Sequence, residues 1–364
     1  AAQFDQVAFR ERDSDAPFLT HAARAWEAGA DTEAWVELLD DEEVPGAQRI
    51  AELLVGFAND TATRQIDAVS RERLGQFVPR LVMTVAQSEH PEPALVRSLA
   101  IVERVLRRSA YLSLLNENRG ALARLVELCG RSSYVADEIA RYPVLLDELL
   151  DPGVYSEAVT REDIATELMA RLGDDDDDSE ARVRALAQFQ RTIMFRIAVA
   201  DFNGVLPIMK VSDGLTWLAE VVLGEALRIA WRDLVERHGV PHYAVGDDMH
   251  EAGFGIIAYG KLGGLELSYG SDLDIVFLHD SHGSKQQTDG DRPLDNGMFF
   301  GRLVRRLTHF LSMQTGSGQL YEVDTRLRPD GHKGLLVTNT EAFERYQEEN
   351  AWTWEHQALL RARP

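Results

Sequence analysis

The chain has 364 residues, 45% of them hydrophobic and 27% charged, enough apolar content for a large buried core spread over two or three domains. Its formal net charge of -22 disfavours nonspecific attraction to nucleic acid or to an anionic lipid surface. One cysteine, Cys129, excludes an internal disulfide and fits a reducing compartment, no apolar run approaches the roughly 18 residues of a membrane span, and no basic-then-apolar secretion signal opens the chain, so the expected location is cytoplasmic.

Residues 1–150 predict a helical region. In "PALVRSLAIVERVLRRSAYLSLL", Leu95, Leu99, Val102 and Leu106 recur at spacings of three and four and share one helix face. "GALARLVELCG" and "YVADEIARYPVLLDELLDP" repeat the pattern, with Gly130 and Pro152 as stops. No fixed-period repeat is present. Residues 151–244 form a second helical region with a composition break at "GDDDDDSE", residues 173–180. Adjacent aspartates repel and resist burial, so a solvated, mobile loop is expected there rather than a calcium or basic-partner site. "SDGLTWLAEVVLGEALRIAWRDLVERHG" predicts a helix capped by Ser212 or Asp213 and ended by Gly239, with Trp217 and Trp231 as core residues.

Residues 245–340 change texture. "FGIIAYG", "DIVFLHD", "YEVDTRLRP" and "GLLVTN" read as strands. Between them Phe299, Leu303, Leu307 and Leu311 mark an amphipathic helix. Strand and helix alternate, which predicts a mixed α/β domain. Residues 341–364 begin another helical region, with Thr340 as its cap and Trp352, Trp354 and His356 expected to pack in a core rather than to touch substrate.

The chemistry concentrates in "GKLGGLELSYGSDLDIVFLHD". Side chains alternate along a strand, so Asp272, Asp274 and Val276 share one face while Leu273, Ile275 and Phe277 share the other. Two carboxylates about 7 Å apart on one face repel each other, and a divalent cation between them removes that repulsion. "YEVDTRLRP" places Glu322, Asp324, Arg326 and Arg328 on one face of a later strand, with Asp324 the acid best placed to join the first pair. Three carboxylates suit two metal ions roughly 3.5–4 Å apart. Gly263 and Gly264 allow backbone N–H groups to approach a phosphate, Ser271 adds a hydroxyl, and Lys261, Arg326 and Arg328 add cations for phosphate oxygens.

A lone D-x-D is a weak signal that more often marks a solvated strand end or turn. It gains weight from the glycines, the serine and the distant acid. Lys261 is followed by Leu262 rather than Ser or Thr, so this is no P-loop, and the dinucleotide glycine fingerprint is absent. His279 and His282 have H-x-x-H spacing, but the glycine after them and the lack of nearby cysteine argue against zinc.

Glycines, then D-x-D, then a third aspartate on a later strand resemble the nucleotidyltransferase superfamily. "YGKLGGLELSYGSDLDIVFLHD", "YEVDTRLRPDGHKGLLV" and "FERYQEENAWTWEHQALLRAR", with "RRSAYLSLLNENRGALARLVELC" and "RYPVLLDELLDP" upstream, are similar to the bacterial glutamine synthetase adenylyltransferase family from about residue 90 to the end. The resemblance implies an α+β, predominantly helical chain with a small mixed-sheet, DNA polymerase β-like nucleotidyltransferase core between helical regions. It implies a two-magnesium site at Asp272, Asp274 and Asp324, and a phosphate-holding loop that includes Gly263, Gly264 and Ser271. ATP is the implied substrate and AMP is passed to a tyrosine of glutamine synthetase. The family has two homologous halves, one adding AMP and one removing it by phosphorolysis. "AWTWEHQALLRAR" resembles the adding half, cut short at both ends. A small nitrogen-signalling protein is the implied regulator of the two-half enzyme, and neither nucleic acid nor membrane is an expected partner. The alternatives are the AMP-removing half, a nucleotidyltransferase acting on RNA, against which the acidic balance argues, and a non-catalytic helical docking fragment.

Overall fold

The computed structural model describes residues 15–27, 31–151, 159–173 and 178–364. Residues 174–177 of the acidic run at 174–178 and the predicted stop at Pro152 lie outside the described residues, while Asp178 accepts from Glu180 N and Ala181 N at the start of the next helix. The chain divides into two compact units, Ala1–Glu157 with Ala198–Val205, and Ala158–Ile197 with Leu206–Pro364.

The first unit is helical: α1 (Asp15–Glu27), α2 (Thr32–Asp41), α3 (Ala47–Asn59), α4 (Thr61–Arg64), α5 (Ala68–Ala86), α6 (Pro91–Val105), α7 (Ser109–Glu117), α8 (Arg119–Arg131) and α9 (Ser133–Arg141), then a 3-10 helix at Pro143–Leu150. Starts are set by side-chain caps. Asp67 accepts from Ser70 N, Asn118 from Ala121 N, and Ser132 from Val135 N, each satisfying an amide that has no partner within its helix. The predicted stripe of Leu95, Leu99 and Val102 is buried on α6, which packs against α8 and α9. The pattern expected to run through "YVADEIARYPVLLDELLDP" breaks in two at Pro143, which has no N–H to donate to the preceding turn.

The second unit adds α10 (Arg161–Leu172), α11 (Ser179–Phe202, whose last residues belong to the first unit) and α12 (Ile208–His238). Strands β1 (Pro241–Val245), β2 (Asp248–Glu251) and β3 (Phe254–Ala258) follow, then the one-turn α13 (Gly260–Gly263), β4 (Leu273–His279), β5 (Ser284–Thr288) and α14 (Asn296–Ser312). Last come β6 (Val323–Asp324), β7 (Val337–Asn339), α15 (Thr340–Glu349) and α16 (Thr353–Leu359). The architecture is α+β and mostly helical, with two small sheets.

Helix α12 starts earlier than predicted, after Pro207 rather than after Ser212 or Asp213, and ends at Gly239, whose φ of +80° suits glycine. Asn339 rather than Thr340 caps α15, its side chain accepting from Ala342 N. Trp217 and Trp231 pack against the core as expected, with Trp231 edge-on to Phe299 at 5.5 Å between ring centres. Trp352 and Trp354 do not: they are 71% and 53% exposed, because α16 turns toward this unit with the buried Glu355, whose carboxylate accepts from Trp352 N and Tyr346 Oη.

One sheet runs β2-β1-β5, antiparallel throughout. Its edge strands β2 and β5 are polar, and every residue of β2 is exposed, so periodicity does not announce them. In the other sheet β4 is central. Antiparallel β3 takes one edge, and β6 and β7, both parallel to β4, share the opposite edge end to end. Leu273, Ile275 and Phe277 of β4 meet Phe299, Leu303 and Leu307 of α14 in one hydrophobic core. Burying this face fixes which side chains of β4 point away from it. Among the described residues, no helix is long and apolar enough to cross a membrane.

Candidate active site

β3 ends at Ala258, and Tyr259 N still donates to Asp274 O at 2.8 Å, continuing the pairing with β4. The chain then turns sharply through Gly260, at φ +55°. A Cβ at Gly260 would lie 2.2 Å from Asp274 Oδ2, so only glycine lets the turn sit against the carboxylate. Sequence reasoning singled out Gly263 and Gly264 and passed over Gly260. The signal was present, since Gly260 opens "GKLGG", but the contact is between strands and no local pattern carries it.

Asp272 precedes β4 and Asp274 lies on it, two positions apart as the alternation requires. β6 pairs with the same stretch in parallel register, Leu273 opposite Val323 and Asp274 opposite Asp324. One carboxylate oxygen from each of Asp272, Asp274 and Asp324 lies within 4.8 Å of the others. Glu322, on the predicted face with Asp324, is instead exposed and hydrogen-bonded by Gln319. The predicted strand "YEVDTRLRP" is two residues long. At Asp324 the carboxylate accepts from Arg326 N at 2.8 Å, which turns the chain and ends the strand.

That turn separates the two arginines. Arg326 folds back on Asp324, its Nε donating to Oδ2 at 2.6 Å and its Nη2 paired to the same oxygen. Arg328 is buried and donates to the Thr325 carbonyl and hydroxyl at 2.8 and 2.6 Å, bracing the turn. The amides of Gly263 and Gly264 donate to Tyr259 O and Gly260 O, inside the turn. A Cβ at Gly263 would lie 1.8 Å from Arg361 O, where residue 363 bridges the edge of β3 at Ala258. Ser271 Oγ lies 2.9 Å from Ser268 Oγ and accepts from Ser268 N, closing the loop that leads into β4. Lys261 is exposed on α13, close enough for its charge to act on Asp274.

The acids differ electrostatically. Burial pushes the Asp274 carboxyl up, and the charges of Asp272 and Asp324 push it further, against the pull of Arg326 and Lys261. Asp324 is held below the usual carboxylate range, chiefly by the hydrogen bond from Arg326. Three mutually repelling oxygen donors, only partly offset by Arg326, fit a hard divalent cation, for which carboxylate, water and phosphate oxygens are the preferred ligands. His279 lies at the far end of β4, with its ring stacked on Phe300 at 4.7 Å, and is no part of this cluster.

Residues 122–364 match the family model described as Glutamate-ammonia ligase adenylyltransferase. The chain is 48% identical over 352 residues to a bifunctional glutamine synthetase adenylyltransferase/adenylyl-removing enzyme of Thioalkalivibrio sulfidiphilus, covering 96% of this chain and 36% of that protein. It is 48% identical over 339 residues to the protein of that name from Pseudomonas putida (93% and 34%), and 42% identical over 357 residues to that from Shewanella loihica (97% and 37%). The chain thus spans about a third of the length of the curated relatives it matches. On this similarity, and on the acidic cluster within the matched region, the chain belongs to the glutamate-ammonia ligase adenylyltransferase family.

Proposed function

We propose that this chain transfers AMP from ATP to a tyrosine hydroxyl of glutamine synthetase, releasing pyrophosphate, and that Asp272, Asp274 and Asp324 are its metal-binding catalytic acids. The observation that carries the reading is the convergence of these acids from two strands, oxygens within 4.8 Å of one another, inside a chain of this family. The sheet that holds them is proposed as a DNA polymerase β-like nucleotidyltransferase core.

Two Mg²⁺ ions bound by these carboxylates and by ATP would supply charge neutralisation at the phosphates and activation of the attacking hydroxyl. The chain's own groups do the rest. Gly260 keeps the space beside Asp274 open. Lys261 and Arg326 offer cations to phosphate oxygens. Gly263, Gly264, Ser271 and Arg328 hold the turns that position those groups, since their polar atoms are already engaged there. A tyrosine hydroxyl has a pKa near 10, so it must lose its proton as it attacks the α-phosphorus in line. Asp324 lies at the cluster to receive that proton. It does so weakly while Arg326 holds it, because that contact favours the carboxylate.

The relatives are named for both addition and removal of the adenylyl group, so the removing reaction is the second reading. The resemblance of "AWTWEHQALLRAR" to the adding half favours the first. The protein substrate is glutamine synthetase, and a small nitrogen-signalling protein is the proposed regulator of the longer enzyme. The test is label transfer from α-labelled ATP to unmodified glutamine synthetase with Mg²⁺, beside Asp272→Asn and Asp274→Asn controls. Label on the synthetase, absent in both controls, supports the proposal. Phosphate-dependent release of ADP from adenylylated synthetase, without forward transfer, would assign the removing reaction instead.

A further inference from the structure

Resting on the metal-site reading above, we propose that Arg326 is an internal counter-ion of the third acid, which a divalent cation must displace before Asp324 can become a ligand. Both oxygens of Asp324 are occupied: Oδ1 by Arg326 N, and Oδ2 by the Arg326 guanidinium. Oδ2 therefore already carries a cation, and the charges of Asp274 and Asp272 act on the same guanidinium. Among the described residues the guanidinium bonds to nothing else, and its side chain is 67% exposed, while the Asp324 side chain is 13% exposed. The arginine can leave toward solvent. The carboxylate, on β6 opposite Asp274, cannot follow. Arg328, two positions on, makes the contrast: it is buried, with two carbonyls and a hydroxyl as partners, and is locked in place.

The charges explain why such a counter-ion belongs here. Three carboxylates within 4.8 Å repel, and one guanidinium relieves part of that repulsion when no metal is bound. An ion pair whose guanidinium lies in solvent is modest, so a doubly charged ion shared by three carboxylates outcompetes it. Once freed, the planar guanidinium has the geometry for bidentate contact with phosphate oxygens. Arg326 thus exchanges the acid for the nucleotide, and it acts on the metal through Asp324 as a positioning residue.

The experiment is Mn²⁺ titration of the chain without nucleotide, followed by electron paramagnetic resonance, for the wild type, Arg326→Gln, Arg326→Lys and Asp324→Asn. Removing the competitor should tighten Mn²⁺ binding in Arg326→Gln by roughly fivefold, the scale of an exposed ion pair. Arg326→Lys should fall between it and wild type, and Asp324→Asn should weaken binding. Arg326→Gln should at the same time weaken binding of α,β-methylene-ATP. A merely structural role predicts looser Mn²⁺ binding in Arg326→Gln. Equal or looser Mn²⁺ binding in a folded Arg326→Gln, with Asp324→Asn still weakened, would overturn the counter-ion role alone. Absence of Mn²⁺ binding in the wild type would overturn the metal site and the counter-ion together.

Discussion

Asp274 and Asp324 stand opposite one another across the parallel pairing of β4 and β6. Like charges at directly facing strand positions destabilise a sheet, and here Asp272 adds a third. The metal-free site is therefore held together by what surrounds it: the core face of β4, the Gly260 turn and the Arg326 contact.

Asp274→Asn should separate function from stability. At the proposed site, removing this carboxylate should lower the proposed AMP transfer by on the order of 100-fold or more, the scale for loss of one transition-state electrostatic group. The metal-free chain should melt slightly higher, by roughly 1–3 °C, because the charge removed is one that burial and two neighbouring carboxylates disfavour. Activity assay and calorimetry on the same preparation check both. Unaltered transfer would remove Asp274 from the site.

Stability against pH should respond in opposite senses at the two acids. The folded-state pKa of Asp274 is raised, so its ionisation penalises the fold. That penalty is absent below the ordinary value near 4 and complete above the raised value, so the stability difference between Asp274→Asn and wild type should grow in the variant's favour as pH climbs through that window. Asp324 is depressed. Its contribution is complete above the ordinary value and is lost as pH falls through the lowered one, so the deficit of Asp324→Asn should vanish in acid. Millimolar Mg²⁺ should abolish the Asp274 penalty, and Mg²⁺ should bind more tightly as pH rises through the same window, since proton and cation compete for that oxygen. Melting curves from about pH 7 down to about pH 2, below the ordinary carboxylate value, with and without Mg²⁺, decide it.

Gly260 and Gly270 make a matched pair. Both have positive φ, +55° and +72°, so alanine at either carries a backbone penalty of roughly 1–2 kcal/mol. A Cβ at Gly260 meets Asp274 Oδ2, whereas nothing lies within 4 Å of one at Gly270. Gly260→Ala should therefore weaken Mn²⁺ binding by roughly tenfold or more, as for other displaced metal-site supports. Gly270→Ala should leave it near wild type. Equal effects would mean that backbone strain alone matters.

Cys129 should be silent to thiol reagents in the native chain. It is fully buried on α8, and burial pushes its thiol up to about 12, while the reactive species is the thiolate. One thiol should react only in denaturant. Fast native labelling would mean that the α6–α8 packing opens readily.

The amino-acid sequence by itself determined the elements whose signals are local. The Leu95, Leu99, Val102 stripe, the α14 stripe of Phe299, Leu303 and Leu307, and the D-x-D at the head of an apolar strand are periodicities, and each depends on residues a few positions apart. Alternation alone left Glu322 and Asp324 on one face; the parallel register sets Asp324 opposite Asp274, at the end of a two-residue strand rather than in the middle of a long one. The tertiary structure decided the rest. β2 and β5 carry polar residues whose pairing comes from neighbouring strands rather than from their own pattern. "YEVDTRLRP" alternates like a strand, yet the Asp324 side chain captures Arg326 N and turns it after two residues. That capture sends Arg326 to the site and Arg328 into the interior. Gly260 matters because of a carboxylate fourteen residues away in sequence and touching in space. Periodicity reports which face of an element is apolar. Which polar groups meet on the other face is set by strand register and by turns closed with side-chain hydrogen bonds, and these exist only once the chain has folded.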